Sequence, residues 1–131
     1  MIKEKLATIK KNIPSNVTLV AVSKTKPNEL IEEAYNSGQR IFGENKAQEL
    51  KNKAEVLPKD IEWHFIGHIQ RNKVKYIAPY SSLIHSIDSI KLLAEVNKQG
   101  LKNNRIINCL LQFYIATEET KFGLSLEEAE E

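Results

Sequence analysis

The chain has 131 residues, of which 41% are hydrophobic and 27% are charged, a composition that excludes an intrinsically disordered protein and predicts one globular domain. Its 19 basic and 17 acidic residues leave a net charge of +2. A balance so close to neutral argues against nucleic acid or an anionic membrane as the main partner.

Hydrophobic periodicity predicts an amino-terminal helix followed by alternating strands and helices. The first helix is predicted through Ile2, Leu6, Ile9 and Ile13, and the five predicted strands lie at 17–23, 40–43, 61–66, 83–87 and within 106–116. The helices between these strands are predicted, in chain order, from Pro27 to Gly38, from a cap at Asn45 to a stop before Pro58, as a short helix before Pro79, and from a cap at Asp88 or Ser89 to Gly100. A capping-box pattern from Ser125 to Glu128 predicts the start of one more helix.

This alternation favours an α/β fold with parallel strands. Two architectures use such units: an open doubly wound sheet of five strands, or the first part of a (β/α)₈ barrel of the TIM type. Length favours the open sheet, because a barrel needs about 200–250 residues. The carboxyl end favours the barrel, because a helix broken off in its first turns is barely stable alone. The sequence is therefore interpreted as one domain, residues 1–131, that ends before its barrel is complete.

In either architecture the functional face lies at the carboxyl ends of the strands. The polar residues at these predicted ends are Ser23 and Lys24, residues 43–45, Gly67 and His68, residues 86–88, and residues 117–121. The strand bodies are apolar by contrast. Because loops are polar in any protein, this pattern alone is weak evidence for a site.

Lys24 closes an apolar strand in the stretch VAVSKTKP. Partial desolvation there would lower the pKa of the amine and make it a nucleophile towards a carbonyl. Lys26, two residues later, would lower that pKa further through like-charge repulsion. The alternative is a lysine that leaves the sheet for solvent, and the physics of this stretch alone favours that alternative.

Other reactive residue types fit structural roles better than chemical ones. His64 and His68 are four residues apart, but no carboxylate or thiol completes a metal-ligand set beside them, and no metal site is predicted. Trp63 and Phe65 are interpreted as packing residues, and no glycine-rich phosphate loop is present.

The expected compartment follows from the cysteine count and from hydropathy. Cys109 is the single cysteine and lies within an apolar run, so it is interpreted as an inert thiol in a reducing compartment. The sequence has no run of the length of a membrane span, and its amino terminus lacks the apolar core of a signal peptide. A cytoplasmic location is expected.

Five ordered segments carry a resemblance to a known family. They are VAVSKTKP, RIFGENKAQEL, WHFIGHIQRNKV, LIHSID and LLQFYIATEETKFG. In these segments the chain resembles the pyridoxal phosphate homeostasis proteins, the family with the fold of the alanine racemase amino-terminal domain.

The resemblance implies a (β/α)₈ barrel that binds pyridoxal 5′-phosphate at its carboxyl face. Lys24 matches the lysine that holds the cofactor as a Schiff base, Asn45 matches a position near the ring, and Ser86 would face the same mouth. Lys26 and Lys121 match secondary lysines at the entrance. The implied function is carriage and regulation of the free cofactor pool, with apo-enzymes that depend on pyridoxal phosphate as partners and with no catalytic residue.

The family's barrel continues for roughly another hundred residues, and its last three strands hold the phosphate. Those strands lie beyond the present sequence, and Phe113 and Tyr114 stand where family members more often carry smaller or polar residues. One alternative is therefore a truncated half-barrel that binds the cofactor weakly or not at all and acts as an assembly module. An open binding domain and a pyridoxal-dependent racemase or decarboxylase are two further alternatives. A monomer or a homodimer is expected.

Overall fold

The structure, a computed structural model, describes residues 2–113. Five strands form one parallel sheet: β1 (Ala21–Val22), β2 (Ile41–Glu44), β3 (Glu62–Phe65), β4 (Ser81–Ile87) and β5 (Asn108–Leu111). The helices are α1 (Ile2–Lys11), α2 (Asn28–Asn36), α3 (Ala47–Val56), α4 (Val74–Ile77) and α5 (Ile90–Lys102), with a 3₁₀ turn at Arg71–Lys73. The predicted alternation of strands and helices is confirmed in this part of the chain.

The order of the strands decides between the two predicted architectures. Each strand pairs in parallel with the next strand in sequence, in the order β1-β2-β3-β4-β5. A doubly wound sheet requires a reversal of this order at a switch point, so that alternative is wrong. An unreversed order with right-handed crossovers places the connecting helices on one face. The described residues thus form five strands, the first four each followed by a helix, of a partial TIM-like barrel.

The helix-covered face of the sheet holds the main hydrophobic core. Phe42 on β2 and Trp63 on β3 are paired in register, and their ring centroids lie 6.0 Å apart. Leu50 of α3 is fully buried in the same core. The predicted packing role of Trp63 and Phe65 is confirmed, because both are buried in this cluster.

The opposite face of the sheet is packed closely around Gly43. A Cβ atom at this position would lie 3.1 Å from both Val20 Cγ1 and Ile66 Cδ1. The small residue on β2 therefore leaves space for two larger apolar side chains next to it. Filling by alternating small and large side chains is typical of the interior of a barrel.

Two predicted strand boundaries were wrong. β1 contains two residues rather than the predicted seven, because only Ala21 and Val22 align with partners on β2. β4 begins at Ser81, two residues before its predicted start, since Ser81 pairs with Trp63. A strand needs a partner along its length, and residue type alone does not specify where that partner ends.

Three predicted helix ends were also wrong. α1 ends at Lys11, so Ile13 lies beyond it. Asn45 does not cap α3, whose N-cap is Lys46 and has no side-chain cap. Gly100 does not end α5, because the helix continues to Lys102. A Cβ atom at Gly100 would lie 3.0 Å from the carbonyl oxygen of Arg105, so this glycine allows a close approach of the chain. Of the two caps predicted for α5, Ser89 is confirmed by the hydrogen bond that its Oγ accepts from Leu92 N.

The predicted capping box at Ser125 and the entrance residue Lys121 lie outside the described residues. Within residues 2–113, no helix is long and apolar enough to cross a membrane.

The core described above predicts a large difference between two leucine-to-alanine substitutions in helices. Leu50 is 0% exposed and Leu101 is 73% exposed. We expect Leu50→Ala to lower the free energy of unfolding by about 2–5 kcal/mol, because it opens a cavity beneath the sheet. Leu101→Ala removes an exposed side chain and should change this quantity by less than about 0.5 kcal/mol. Urea unfolding followed by circular dichroism measures both, and equal losses would contradict the described packing of α3.

Candidate functional site

The three residues predicted for the site lie at the carboxyl ends of the parallel strands, which form the carboxyl edge of the sheet. Lys24 lies two residues after β1, Asn45 follows β2 directly, and Ser86 is the next-to-last residue of β4. Because these strands are parallel and belong to one sheet, their carboxyl ends meet at the same edge. Asn45 is half-buried and Ser86 is buried. The structure thus gathers these residues at the edge where sites of this architecture occur.

Lys24 is exposed, which agrees with a lysine that leaves the sheet for solvent, the alternative that the physics of this stretch alone favoured over partial desolvation. The reason is the early end of β1 at Val22, which leaves Lys24 in a turn beyond the sheet. This turn is closed by a hydrogen bond of 3.1 Å from Lys26 N to Ser23 O. Thr25, within the turn, has a φ of 63°, a left-handed conformation that non-glycine residues adopt only when their surroundings hold it.

A buried lysine of α3 lies directly behind this turn. Lys53 is only 6% exposed, and its Nζ donates to three oxygen atoms: Ser23 O at 2.7 Å, Glu44 Oε2 at 3.0 Å and Glu49 Oε2 at 2.9 Å. An ammonium group has three donors, and all three are satisfied here. Lys53 therefore joins the turn after β1, the end of β2 and the first part of α3.

The carboxyl groups around Lys53 have different electrostatic environments. Burial is the largest influence on Glu44 and raises the pKa of its carboxyl group, although hydrogen bonds from Ser23 and Lys53 oppose it. Burial also acts to raise the pKa of Glu49, but hydrogen bonds from Lys53 and from Thr25 N outweigh it and hold that pKa below its ordinary value. Glu49 is therefore the more firmly ionised partner of Lys53.

Asn45 is held at the edge by a close approach of two loops. A Cβ atom at Gly67, just after β3, would lie 2.7 Å from Asn45 Cβ and 2.9 Å from Asn45 O. Any larger residue at this position would displace the backbone of Asn45. The pairing of the glycine after β3 with the asparagine after β2 thus positions one predicted site residue.

Two histidine contacts complete the description of this part of the sheet. Nδ1 of His68, after β3, lies 3.2 Å from Asp88 Oδ2, after β4. His64 Nδ1 lies 3.0 Å from His85 Nε2, which places these two rings together on the face opposite the helix-covered core. His64 and His68 therefore have different neighbours, and residues 2–113 contain no group of three or more His, Cys, Asp or Glu suited to a metal ion.

The cluster around Lys53 was missed from the sequence, although a signal was present. The apolar stripe of α3 has a spacing of three and four residues, and Lys53 occupies one of its positions between Leu50, Ala54 and Leu57. A lysine on a buried stripe requires a partner. Glu44 likewise follows Phe42 by two residues and so shares its buried face.

The sequential parallel sheet and its connecting helices define an α/β protein of the (β/α) barrel class. The family model described as "Alanine racemase, N-terminal domain" matches residues 1–131. The chain belongs to this family, in the group of the pyridoxal phosphate homeostasis proteins.

The curated relatives that the chain matches are longer than the chain. The pyridoxal phosphate homeostasis protein of Aquifex aeolicus is 45% identical over 114 residues, which are 86% of this chain and 50% of that protein. The protein of that name from Escherichia coli strain K12 is 39% identical over 122 residues, or 90% of this chain and 52% of that protein. The chain thus spans about half the length of these relatives.

A similar protein of known structure is also longer than the chain. PipY of Synechococcus elongatus with pyridoxal phosphate bound is similar with a TM-score of 0.87 and 34% identity, covering 98% of this chain and 60% of PipY. PipY without pyridoxal phosphate has a TM-score of 0.89. The resemblance to this family and the predicted incomplete barrel of the TIM type are therefore confirmed.

The histidine pair predicts a pH dependence of stability. Burial lowers the pKa of His64, with a further contribution from His85, and burial lowers the pKa of His85. The unfolded chain keeps values near 6.5, so below this pH it binds more protons than the folded chain does. The free energy of unfolding should therefore fall as the pH is lowered from about 7 to about 5.

The variant His64→Gln/His85→Gln removes both titrating rings and should show a smaller decline over the same range. Urea midpoints measured at several pH values for both proteins give the comparison. The same decline in the wild type and the variant would contradict a folded state that disfavours charged histidines at these positions.

Proposed function

We propose that this chain binds pyridoxal 5′-phosphate, holds it as a Schiff base on Lys24 and serves the homeostasis of this cofactor. The observation that carries the proposal is the placement of Lys24. It is an exposed lysine on a hydrogen-bonded turn at the carboxyl edge of a parallel sheet, in a chain that matches a pyridoxal-phosphate-bound PipY over 98% of its length.

The residues at this edge fit the reactive end of the cofactor. When bound, the cofactor would supply an aldehyde group, and Lys24 would hold it through its side-chain nitrogen. Asn45, half-buried after β2, and Ser86, buried at the end of β4, bring an amide and a hydroxyl to the same edge for contact with the ring. Lys26 and Lys121 are proposed as entrance residues.

The proposed role is that of a carrier and regulator rather than an enzyme. A racemase or decarboxylase needs an acid–base residue on the opposite side of the ring, and we assign no residue to that role. The proposed partners are pyridoxal phosphate and apo-enzymes that depend on it, without nucleic acid or membrane. A cytoplasmic location remains part of the proposal. None of Lys24, Asn45 and Ser86 is assigned to the phosphate group.

Borohydride trapping tests this proposal. Pyridoxal phosphate added to the chain should produce the absorbance of a Schiff base, and reduction followed by peptide mapping should place the adduct on Lys24. Its yield there should exceed that at any other lysine by about tenfold, roughly 1.4 kcal/mol of preference. Lys24→Ala should abolish the selective adduct, whereas Lys98→Ala removes an exposed lysine of α5 and should retain it. An adduct spread over many exposed lysines would sink the proposal.

A second candidate function is that of an assembly module. Leu110 and Leu111 of β5 are 49% and 40% exposed, and Val22 of β1 is 54% exposed. Within the described residues, β1 and β5 are the two edge strands of the sheet. Edge strands that carry exposed large apolar side chains promote pairing with another chain. A homodimer formed along such an edge is the form of this candidate.

Sedimentation over a range of protein concentrations tests this second candidate. If assembly uses β5, the wild type should be a dimer and Leu110→Lys should shift it towards the monomer, because the charge would have to be buried at the edge. Val56→Lys changes a 67% exposed residue of α3 and should leave the mass unchanged. A wild-type monomer at every concentration would contradict assembly.

A further inference from the structure

The turn that carries Lys24 is attached to the sheet through Ser23. Ser23 N donates to Gly43 O at 3.0 Å, and the single O–H donor of Ser23 lies within hydrogen-bond reach of both Gly43 O, at 3.2 Å, and Glu44 Oε2. The carbonyl oxygen of Ser23 accepts from Lys53 at 2.7 Å. The residue before Lys24 is therefore held through its N–H, its hydroxyl and its carbonyl group.

The residue after Lys24 is held by the same cluster. Thr25 N donates to Glu49 Oε2 at 2.7 Å, and this oxygen atom also accepts from Lys53 at 2.9 Å. Thr25 has the left-handed backbone described above, with a φ of 63°. The hydrogen bond to Glu49 stabilises this conformation, which determines the direction in which the chain leaves Lys24. Both neighbours of Lys24 are thus anchored, while its own side chain is exposed.

Stability alone does not account for the cluster. A buried ion pair can often be replaced by packed apolar side chains without loss of stability, because desolvation offsets the attraction of the charges. Glu44 is 0% exposed, and its Oε1 is buried with no hydrogen-bond partner among the described residues, which costs free energy. The cluster therefore includes an unfavourable buried oxygen atom, Glu44 Oε1. It also forms hydrogen bonds to the backbone of the turn, at Ser23 O and Thr25 N.

We infer that the buried Glu44–Lys53 ion pair, together with Glu49, is a positioning device that holds Lys24 in the orientation needed to react with an aldehyde. The link to the aldehyde rests on the proposed function. Lys53 and Glu44 act through the backbone of Ser23 and Thr25 and do not touch the reacting atoms. Loss of the cluster would leave Lys24 present and exposed but no longer oriented.

The test compares the wild type with Glu44→Leu/Lys53→Met, a variant that replaces the ion pair by apolar side chains. Amide hydrogen exchange at Thr25 reports the turn without any cofactor, and reductive trapping with pyridoxal phosphate reports the reactivity of Lys24. In the variant we expect exchange at Thr25 to be about tenfold faster, because the turn loses the charge-assisted hydrogen bond that Lys53 Nζ donates to Ser23 O. We also expect the adduct at Lys24 to fall to the level of other exposed lysines, with the urea midpoint retained.

One further variant keeps the test valid if the double variant does not fold, and another serves as the control. Glu49→Ala removes the acceptor of Thr25 N from a partly exposed helix position with a side chain 24% exposed, and it should accelerate exchange at Thr25 and reduce the adduct. Asp60→Asn is the matched control, because Asp60 forms an exposed ion pair with Arg40 at 3.2 Å, away from the turn. It should leave both readouts unchanged.

The outcomes separate this inference from the proposed function. Unchanged exchange at Thr25 in the cluster variants would overturn the inference, as would faster exchange with an undiminished adduct at Lys24. A wild type that forms no selective adduct at Lys24 would overturn the proposed function and the link to aldehyde chemistry. Faster exchange at Thr25 in the variants would still support the anchoring of the turn in that case.

Discussion

The carboxyl edge of the sheet depends on one buried ammonium group. Lys53 contacts oxygen atoms from the turn after β1, from the end of β2 and from the first part of α3. A charged group in this position is stable only with full hydrogen bonding, so the three segments must occupy their places together. The position of Lys24 follows from this constraint, because its two neighbours in the chain belong to the same cluster.

The order of the strands supplies the second constraint. A parallel sheet in sequential order collects the ends of consecutive strands along one edge, and the connecting helices cover one face. The asparagine after β2 and the glycine after β3 become neighbours in this way, with 2.7 Å between Asn45 Cβ and a Cβ built at Gly67. The edge is therefore assembled from residues that are far apart in sequence but equivalent in their strand–helix units.

Physical reasoning from the sequence predicted some of these features and missed others. The elements themselves, the parallel class and the edge that bears the polar residues were predicted, because each depends on local periodicity or on a general property of α/β folds. The family resemblance predicted Lys24, Asn45 and Ser86 as site residues. For Lys24 the residues alone favoured exposure over partial desolvation, and Lys24 is exposed because strand pairing ends at Val22.

The sequence by itself determined which segments become helices and strands, since the spacing of apolar side chains is a local property. It also determined that a lysine follows the first strand. Only the tertiary structure decided that Lys24 is exposed while Lys53 is buried, although both are lysines next to apolar residues. That difference depends on contacts such as the one between Lys53 Nζ and Ser23 O, 30 residues apart in the chain, and such contacts form only when the sheet and helix pack together.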